Sequence, residues 1–158
     1  MRVSVLTISD SVATGKYADQ SGPAVVARCR ELGWKIASTA VLADDRTAIE
    51  TFLRDAAASN DLDTVLTTGG TGVGPRDVTP EATLAVAERL IPGVSEHMRA
   101  EGRKKTDRAL LSRGVTAIRG KTLIVNLPGS PRGAVESLDA IAELLPHAVA
   151  VLNGAHHE

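Results

Sequence analysis

Thr64-Val65-Leu66-Thr67-Thr68-Gly69-Gly70-Thr71-Gly72-Val73-Gly74-Pro75-Arg76-Asp77-Val78-Thr79-Pro80-Glu81 reads as a short buried strand, a glycine-rich loop and the start of a helix. Val65 and Leu66 supply the apolar run. Gly69, Gly70, Gly72 and Gly74 let the backbone take positive φ and lie close to a ligand. Thr79 is placed to cap a helix whose first residue is Pro80, where a missing N–H costs nothing. Free N–H groups followed by a helix start make an anion site in principle. Asp77 lies inside it, and an acid beside a phosphate cradle calls for a metal cation.

Working outward, residues 3–8 form a β-branched apolar strand, followed by Ser9-Asp10-Ser11 and a polar loop. A helix then runs from Ser21-Gly22-Pro23 to Gly33, with Val25, Val26, Cys29 and Leu32 at helical spacing. Residues 34–42 form the second strand. Asp44-Asp45 end it and can cap a helix over 46–58, with Ile49, Phe52, Leu53 and Ala56 inward. Residues 63–68 form the third strand. A helix over 80–90 turns Leu84, Ala85 and Leu90 inward, and Pro92-Gly93 breaks it. More helix covers 94–105 and a connector covers 109–114. Residues 115–119 and 121–127 are strands joined through Gly120, and so short a link demands antiparallel pairing. Asn126-Leu127-Pro128-Gly129-Ser130-Pro131 leads into a last long helix capped by Ser130, which Pro146 punctuates. These elements predict a three-layer α/β/α domain over residues 1–153. Its central sheet is mostly parallel with one antiparallel strand, and 154–158 form a flexible tail.

Composition narrows the function. Aromatic residues make up 2% of the chain and hydrophobic residues 43%, so the core is aliphatic, as in a parallel sheet buried on both faces. Eighteen basic against nineteen acidic residues give no electrostatic case for nucleic acid or a membrane surface. One cysteine, Cys29, excludes an intrachain disulfide and suits a reducing, cytoplasmic compartment. Residues 1–6 run straight into a strand and do not read as a signal peptide.

Two nucleotide signatures fail. Gly120-Lys121-Thr122 resembles the end of a Walker A loop, but Val115 stands where its first glycine belongs, and it lies between strands. Gly69-Gly70-Thr71-Gly72-Val73-Gly74 is not the dinucleotide fingerprint. What remains is position. Ligands of open α/β sheets sit beyond the C-terminal strand ends, and Asp10, Asp44 or Asp45, and Asp77 all follow such ends. Carboxylates, glycine turns and helix starts on one rim suit a Mg²⁺-phosphate ligand. The histidines lack metal-binding spacing, and His156-His157 reads as tail.

Thr68-Gly69-Gly70-Thr71-Gly72 followed by Pro75-Arg76-Asp77-Val78-Thr79-Pro80-Glu81-Ala82-Thr83 resembles the signature of the MogA/MoaB-type molybdenum cofactor biosynthesis proteins. Ile8-Ser9-Asp10, Leu111-Ser112-Arg113 and Asn126-Leu127-Pro128-Gly129-Ser130-Pro131 extend the resemblance over nearly the whole chain. It implies a molybdopterin adenylyltransferase that moves AMP from Mg²⁺-ATP to molybdopterin and releases pyrophosphate. A non-catalytic pterin or nucleotide carrier of the same fold is the alternative. The resemblance also implies a homotrimer and contact with the molybdenum-insertion protein. It assigns Gly69, Gly70, Thr71 and Gly72 to phosphate, and Asp77 and Asp44 to Mg²⁺ and the reacting groups. Asp10 and Ser11 fall to the nucleotide, Ser112 and Arg113 to the pterin, and Asn126, Pro128, Gly129 and Ser130 to a facing wall around the nucleotide.

Overall fold

In the computed structural model, which describes residues 1–155, the expected apolar runs over 3–8, 63–68 and 121–127 become strands buried on both faces, while the run over 34–42 becomes a largely exposed edge strand. The order is β1 (Arg2–Ile8), α1 (Asp10–Ala13), α2 (Ser21–Glu31), β2 (Lys35–Leu42), α3 (Arg46–Ala58), β3 (Thr64–Thr68) and α4 (Thr79–Val86). Then come β4 (Arg89–Leu90), α5 (Pro92–Arg103), a 3₁₀ helix over Asp107–Leu111, β5 (Thr116–Arg119), β6 (Thr122–Leu127), α6 (Pro131–Ile141) and α7 (Leu144–Leu152). The six strands form one sheet in the order β2-β1-β3-β6-β5-β4. β2, β1, β3 and β6 are parallel. β5 runs against both of its neighbours, so it is the one strand opposed to the rest.

The sheet separates two apolar layers. On one face Val3, Val5, Leu66, Leu123 and Val125 pack against Val25, Cys29, Leu138, Ile141 and Leu145 of α2, α6 and α7. On the other, Leu6, Ile8, Val65 and Ile124 meet Ile49 and Leu53 of α3 and Ala82 and Val86 of α4. Odd and even strand positions take opposite faces, as the pleat requires. Cys29 is fully buried, and burial pushes its thiol up to about 11. It serves as a small core residue.

Several local signals act as read. Asp45 caps α3 by accepting from Ala48 N at 2.9 Å, and Ser130 caps α6 by accepting from Gly133 N at 3.1 Å. Gly33 ends α2 with φ 78°. Gly120, at φ 56°, turns the β5–β6 hairpin, in which Arg119 faces Thr122.

Others do not. Thr79 is not the cap of α4 but lies within it, and its hydroxyl donates to Gly69 O at 2.9 Å. The helix ends at Val86, because Arg89–Leu90 pairs with β5 as an edge strand. Its inward residues are Ala82, Thr83 and Val86, while Leu84, Ala85 and Leu90 are exposed. Pro92 opens α5 instead of breaking a helix, and Pro146 lies in the first turn of α7. Residues 154–155 follow α7, and the rest of the expected tail lies outside the described residues. Among the described residues no helix is long and apolar enough to cross a membrane.

Candidate functional site

β3 has a neighbour on each side, and the chain leaves these strands toward opposite faces. β1 and β6 lead to α2 and α6 on one face, whereas β3 leads to α4 on the other. A crevice therefore opens on either side of the C-terminal end of β3, where such sheets bind ligands. Both are present. A cavity of about 490 Å³ lies between the ends of β1 and β3, lined by Ser9, Val12, Tyr17, Asp44 and Gly69 among others. A second of about 530 Å³ lies between the ends of β3 and β6, lined by Thr71, Gly72, Met98, Leu111, Ser112 and Pro128 among others. Gly70, Asp77 and Gly129 line both.

The shared wall is the glycine loop, and its shape is imposed. Gly69 has φ 104° and Gly70 φ 66°, which side chains rarely adopt. A Cβ on Gly69 would lie 2.1 Å from Ile8 O, and one on Gly70 2.2 Å from the Thr79 hydroxyl. The loop is tied to its neighbours at several points. Thr68 Oγ1 donates to Pro128 O at 2.6 Å, Gly69 N to Leu127 O at 3.2 Å, and Thr79 N to Gly70 O at 3.1 Å. Among the described residues, nothing accepts from the N–H groups of Gly70, Thr71 and Gly72 or of Gly129 and Ser130. Two runs of free donors thus border the point where the cavities meet, which suits an anion.

Beneath the loop lies a buried polar relay that begins at Asn126. Its Nδ2 donates to the hydroxyls of Thr67 at 3.1 Å and Thr83 at 3.0 Å, and its Oδ1 accepts from Val115 N. The Thr83 hydroxyl donates to Thr79 O, and the Thr79 hydroxyl donates to Gly69 O. β6, β3, α4 and the loop are therefore locked together. Asn126 lines the second cavity, but its side chain is engaged within the protein.

Arg113 holds the loop from the other side. Its guanidinium donates to Gly72 O at 2.7 Å, to Asp77 O at 2.9 Å and to the Glu81 carboxylate. This hydrogen bond holds the Glu81 carboxyl below its usual range. Arg113 lines neither cavity, so the arginine expected at the pterin is bound to the loop instead. Its neighbour Ser112 does line the second cavity.

The acids divide by role. Asp10 and Asp44 each accept the other's backbone N–H, at 3.0 and 2.9 Å. Asp10 also takes a two-pronged contact from Arg76 at 2.9 and 3.1 Å, which lowers its pKa, with help from the Asp44 N–H. Asp44 is the opposite case. Burial, and then repulsion from Asp10 and Asp77, raise its pKa against the hydrogen bond from Asp10 N. Its Oδ1 is buried with no hydrogen-bond partner among the described residues. Asp77 accepts from Gly74 N through Oδ2 at 2.8 Å, and its other oxygen has no hydrogen bond among the described residues. An orphaned buried carboxylate oxygen near a second carboxylate fits a hard cation. Among the described residues no group of three His, Cys, Asp or Glu is close enough to hold a metal alone. A cation here would need oxygens from its ligand, as Mg²⁺ on a phosphate does.

Of the remaining expected residues, Asp10 and Ser11 line neither cavity. Asp10 acts through Asp44 and Arg76, and Ser11 lies in α1, where its carbonyl accepts from Tyr17 N at 3.1 Å. Asn126, Pro128 and Ser130 line the second cavity beside Ser112, and Gly129 lines both. Sequence reasoning missed Tyr17 and Gln20 in the first cavity and Arg99 and Arg108 in the second. No pattern in the sequence marked them: Tyr17 and Gln20 come from an irregular segment, Arg108 from the 3₁₀ helix, and Arg99 from a half-buried position on α5 whose acceptors are the backbone carbonyls of Ser112 and Gly114.

Residues 4–147 match the family described as "Probable molybdopterin binding domain". The chain belongs to this family. It is 38% identical to a molybdopterin adenylyltransferase of Helicobacter pylori, over 98% of this chain and 89% of that one. It is 38% identical to the molybdopterin adenylyltransferase of Escherichia coli K12, over 90% and 74%. It is also 44% identical to the molybdenum cofactor synthesis protein cinnamon of Drosophila melanogaster over 92% of this chain, which spans only 24% of that longer protein. Among solved structures, the molybdopterin biosynthesis enzyme MoaB of Thermus thermophilus superposes with a TM-score of 0.91 at 43% identity, over 99% of both chains.

Proposed function

We infer that this chain is a molybdopterin adenylyltransferase, transferring AMP from ATP to the terminal phosphate of molybdopterin. The observation that carries the reading is the meeting of two cavities at Gly70, Asp77 and Gly129. A transfer between two phosphorylated molecules needs two binding spaces that share one phosphate-binding wall. The names of the bacterial relatives support the same reaction.

ATP takes the first cavity and molybdopterin the second, where Ser112, Met98 and Leu111 offer a mixed polar and apolar wall. Asn126, Pro128 and Ser130 belong to the pterin side in this reading. An oxygen of the pterin's terminal phosphate attacks the α-phosphorus of ATP. The bond to the β-phosphate breaks and pyrophosphate leaves with the electron pair. The nucleophile is already an anion, so no serine or cysteine has to be activated. The chain's contribution is alignment and charge stabilisation. The free N–H groups of Gly70, Thr71 and Gly72 hold phosphate oxygens of one substrate, and those of Gly129 and Ser130 hold the other. Asp44 and Asp77 would hold Mg²⁺, which supplies charge neutralisation at the phosphates. Asp44 is the better placed of the neighbouring acids, because it lines the first cavity whereas Asp45 lines neither and gives one oxygen to the cap of α3. Arg113 and Asn126 are positioning residues that fix the loop.

A cytoplasmic site of action, assembly as a homotrimer and hand-over to a molybdenum-insertion protein belong to the same proposal. The apolar surface at Leu84 and Leu90 is available to a second copy. The test is incubation with molybdopterin and Mg²⁺-ATP while following pyrophosphate and adenylylated pterin. Stoichiometric formation of both is expected. Binding of the pterin without either product would favour the carrier.

A further inference from the structure

The two edges of the sheet differ. One is β4, two residues long and carrying Arg89. The other is β2, eight residues long, whose outer side pairs with no strand among the described residues. Long bare edges are normally blunted by charge, proline or a bulge. β2 has an extra residue at Ala37, where its register against β1 shifts, and its one charged residue, Lys35, stands at its start. The half from Thr39 to Leu42 has none of these devices. Thr39 is exposed, and Val41 is 41% exposed. Leu42 O accepts from Ser9 N, so Leu42 and Ala40 turn their backbone groups toward β1. By alternation Thr39 and Val41 turn theirs outward. A cleft flanks the strand on each face of the sheet. One of about 440 Å³ is lined by Val26 and Val41, and one of about 370 Å³ by Ser38 and Phe52.

We propose that the outer edge of β2 pairs with the same edge of a second copy of this chain, antiparallel about a two-fold axis at Ala40. A two-fold contact joins identical surfaces, so the strand must match itself, and this one does. Centred on Ala40, Thr39 faces the partner's Val41, and the two exchange both backbone hydrogen bonds. Every outward group of Thr39 and Val41 then has a partner, and a small residue sits on the axis. The same register carries Lys35 to the end of the partner's strand, where Asp45 stands. Both residues are exposed. Lys35 has no ion pair among the described residues, and Asp45 gives only one carboxylate oxygen to the cap of α3. A parallel or slipped pairing loses this match of charge. The flanking clefts receive the side chains that the added strand turns to the two faces. Eight residues a side is fewer than the roughly 20–30 of a standard interface, so association belongs at micromolar concentrations. β2 lies at the opposite edge of the sheet from Leu90, so this contact is separate from any made there.

The test is sedimentation equilibrium of the full chain across the micromolar range. The mass of the wild-type species should double with concentration. Thr39→Lys combined with Val41→Lys sets like charges face to face and should abolish the doubling. Thr39→Lys combined with Val41→Glu sets opposite charges face to face and should keep it. Both side chains are exposed, so these variants should melt with the wild type. Ala40→Cys should form a disulfide between copies under diamide, because the register brings the two Cα atoms to about 4.5 Å. Ala37→Cys, exposed on the same strand but away from the axis, should stay a thiol. Cys29 is fully buried and does not compete. A wild type of constant mass would overturn the proposal and leave the edge to a strand of another protein. Doubling that survives the two lysines, or cross-linking no better at Ala40→Cys than at Ala37→Cys, would overturn it by placing the contact elsewhere.

Discussion

Removing the Arg113 side chain should loosen the glycine loop without touching either substrate. Its guanidinium makes three hydrogen bonds, to Gly72 O, Asp77 O and Glu81. A bond involving a charged group contributes about 1.5–3 kcal/mol when sheltered. The Arg113 and Glu81 side chains are 37% and 38% exposed, so their ion pair is screened by solvent and adds at most about 1 kcal/mol. The two carbonyl bonds dominate. With allowance for their partial exposure, Arg113→Ala should cost about 2–4 kcal/mol. At this chain length that lowers Tm by roughly 5–15 °C. Arg113→Lys should recover only part of it, since an ammonium cannot reproduce the fork. The pH dependence has a definite sign. Glu81 titrates below its ordinary 4.5 in the folded state. Its contribution is therefore present above that value and lost as pH falls through the folded pKa. Arg113→Ala should remove this part of the acid sensitivity. Thermal melts from pH 7 to 3 and single-turnover adenylylation are the assays. The expected pattern is a lower kcat with a nearly unchanged pterin KM, because the loop is displaced but the second cavity keeps its walls. Wild-type Tm together with wild-type kcat in Arg113→Ala would refute the idea that this side chain holds the loop.

Asp44→Asn should stabilise the chain at neutral pH and abolish turnover. Asp44 titrates above its ordinary value when folded, so its ionised form opposes folding above the folded pKa and is relieved as pH falls; a rise in Tm at pH 7 that vanishes at low pH checks this. Asn126→Ala should cost about 2–4 kcal/mol, because it strands the Val115 N–H and withdraws the donor to Thr67 and Thr83; urea unfolding measures it. Gly69→Ala should cost about 2–4 kcal/mol, because strain at positive φ is joined by a collision with Ile8 O. Gly15→Ala, also at positive φ but with open space around it, should cost only about 1 kcal/mol, and comparison of the two melts separates strain from collision.

How much of this was legible in the sequence follows from which signals are local. The parallel strands announce themselves because Val3, Val5, Leu6 and Ile8, or Val65 and Leu66, are buried whichever face they take. Caps at Asp45 and Ser130 are contacts over three residues and could be read directly. The short edge strand β4 could not, because Arg89 and Leu90 become strand only by pairing with β5, some thirty residues on. The inward face of α4 was misjudged for a related reason. Leu84 is more apolar than Thr83, but Thr83 is buried because Asn126 needs its hydroxyl. At the site, Asp77 and the glycines were visible because glycine clustering is rare outside ligand loops. The partition of the acids was not. Asp44 and Asp45 are neighbours in sequence, and only the fold turns one into a cap and leaves the other with a buried, orphaned oxygen. Arg113 carried no sign that its acceptors would be loop carbonyls, since backbone acceptors leave no trace in a sequence.

The measurement that bears most directly on the shared wall is Asp77→Asn assayed for both binding and transfer. Asn retains an oxygen to accept from Gly74 N, so the loop should keep its shape and the melt its midpoint. Because Asp77 lines both cavities at their junction, pterin binding should persist while pyrophosphate release falls by at least about a hundredfold. Wild-type adenylylation by Asp77→Asn at saturating Mg²⁺-ATP would contradict the account.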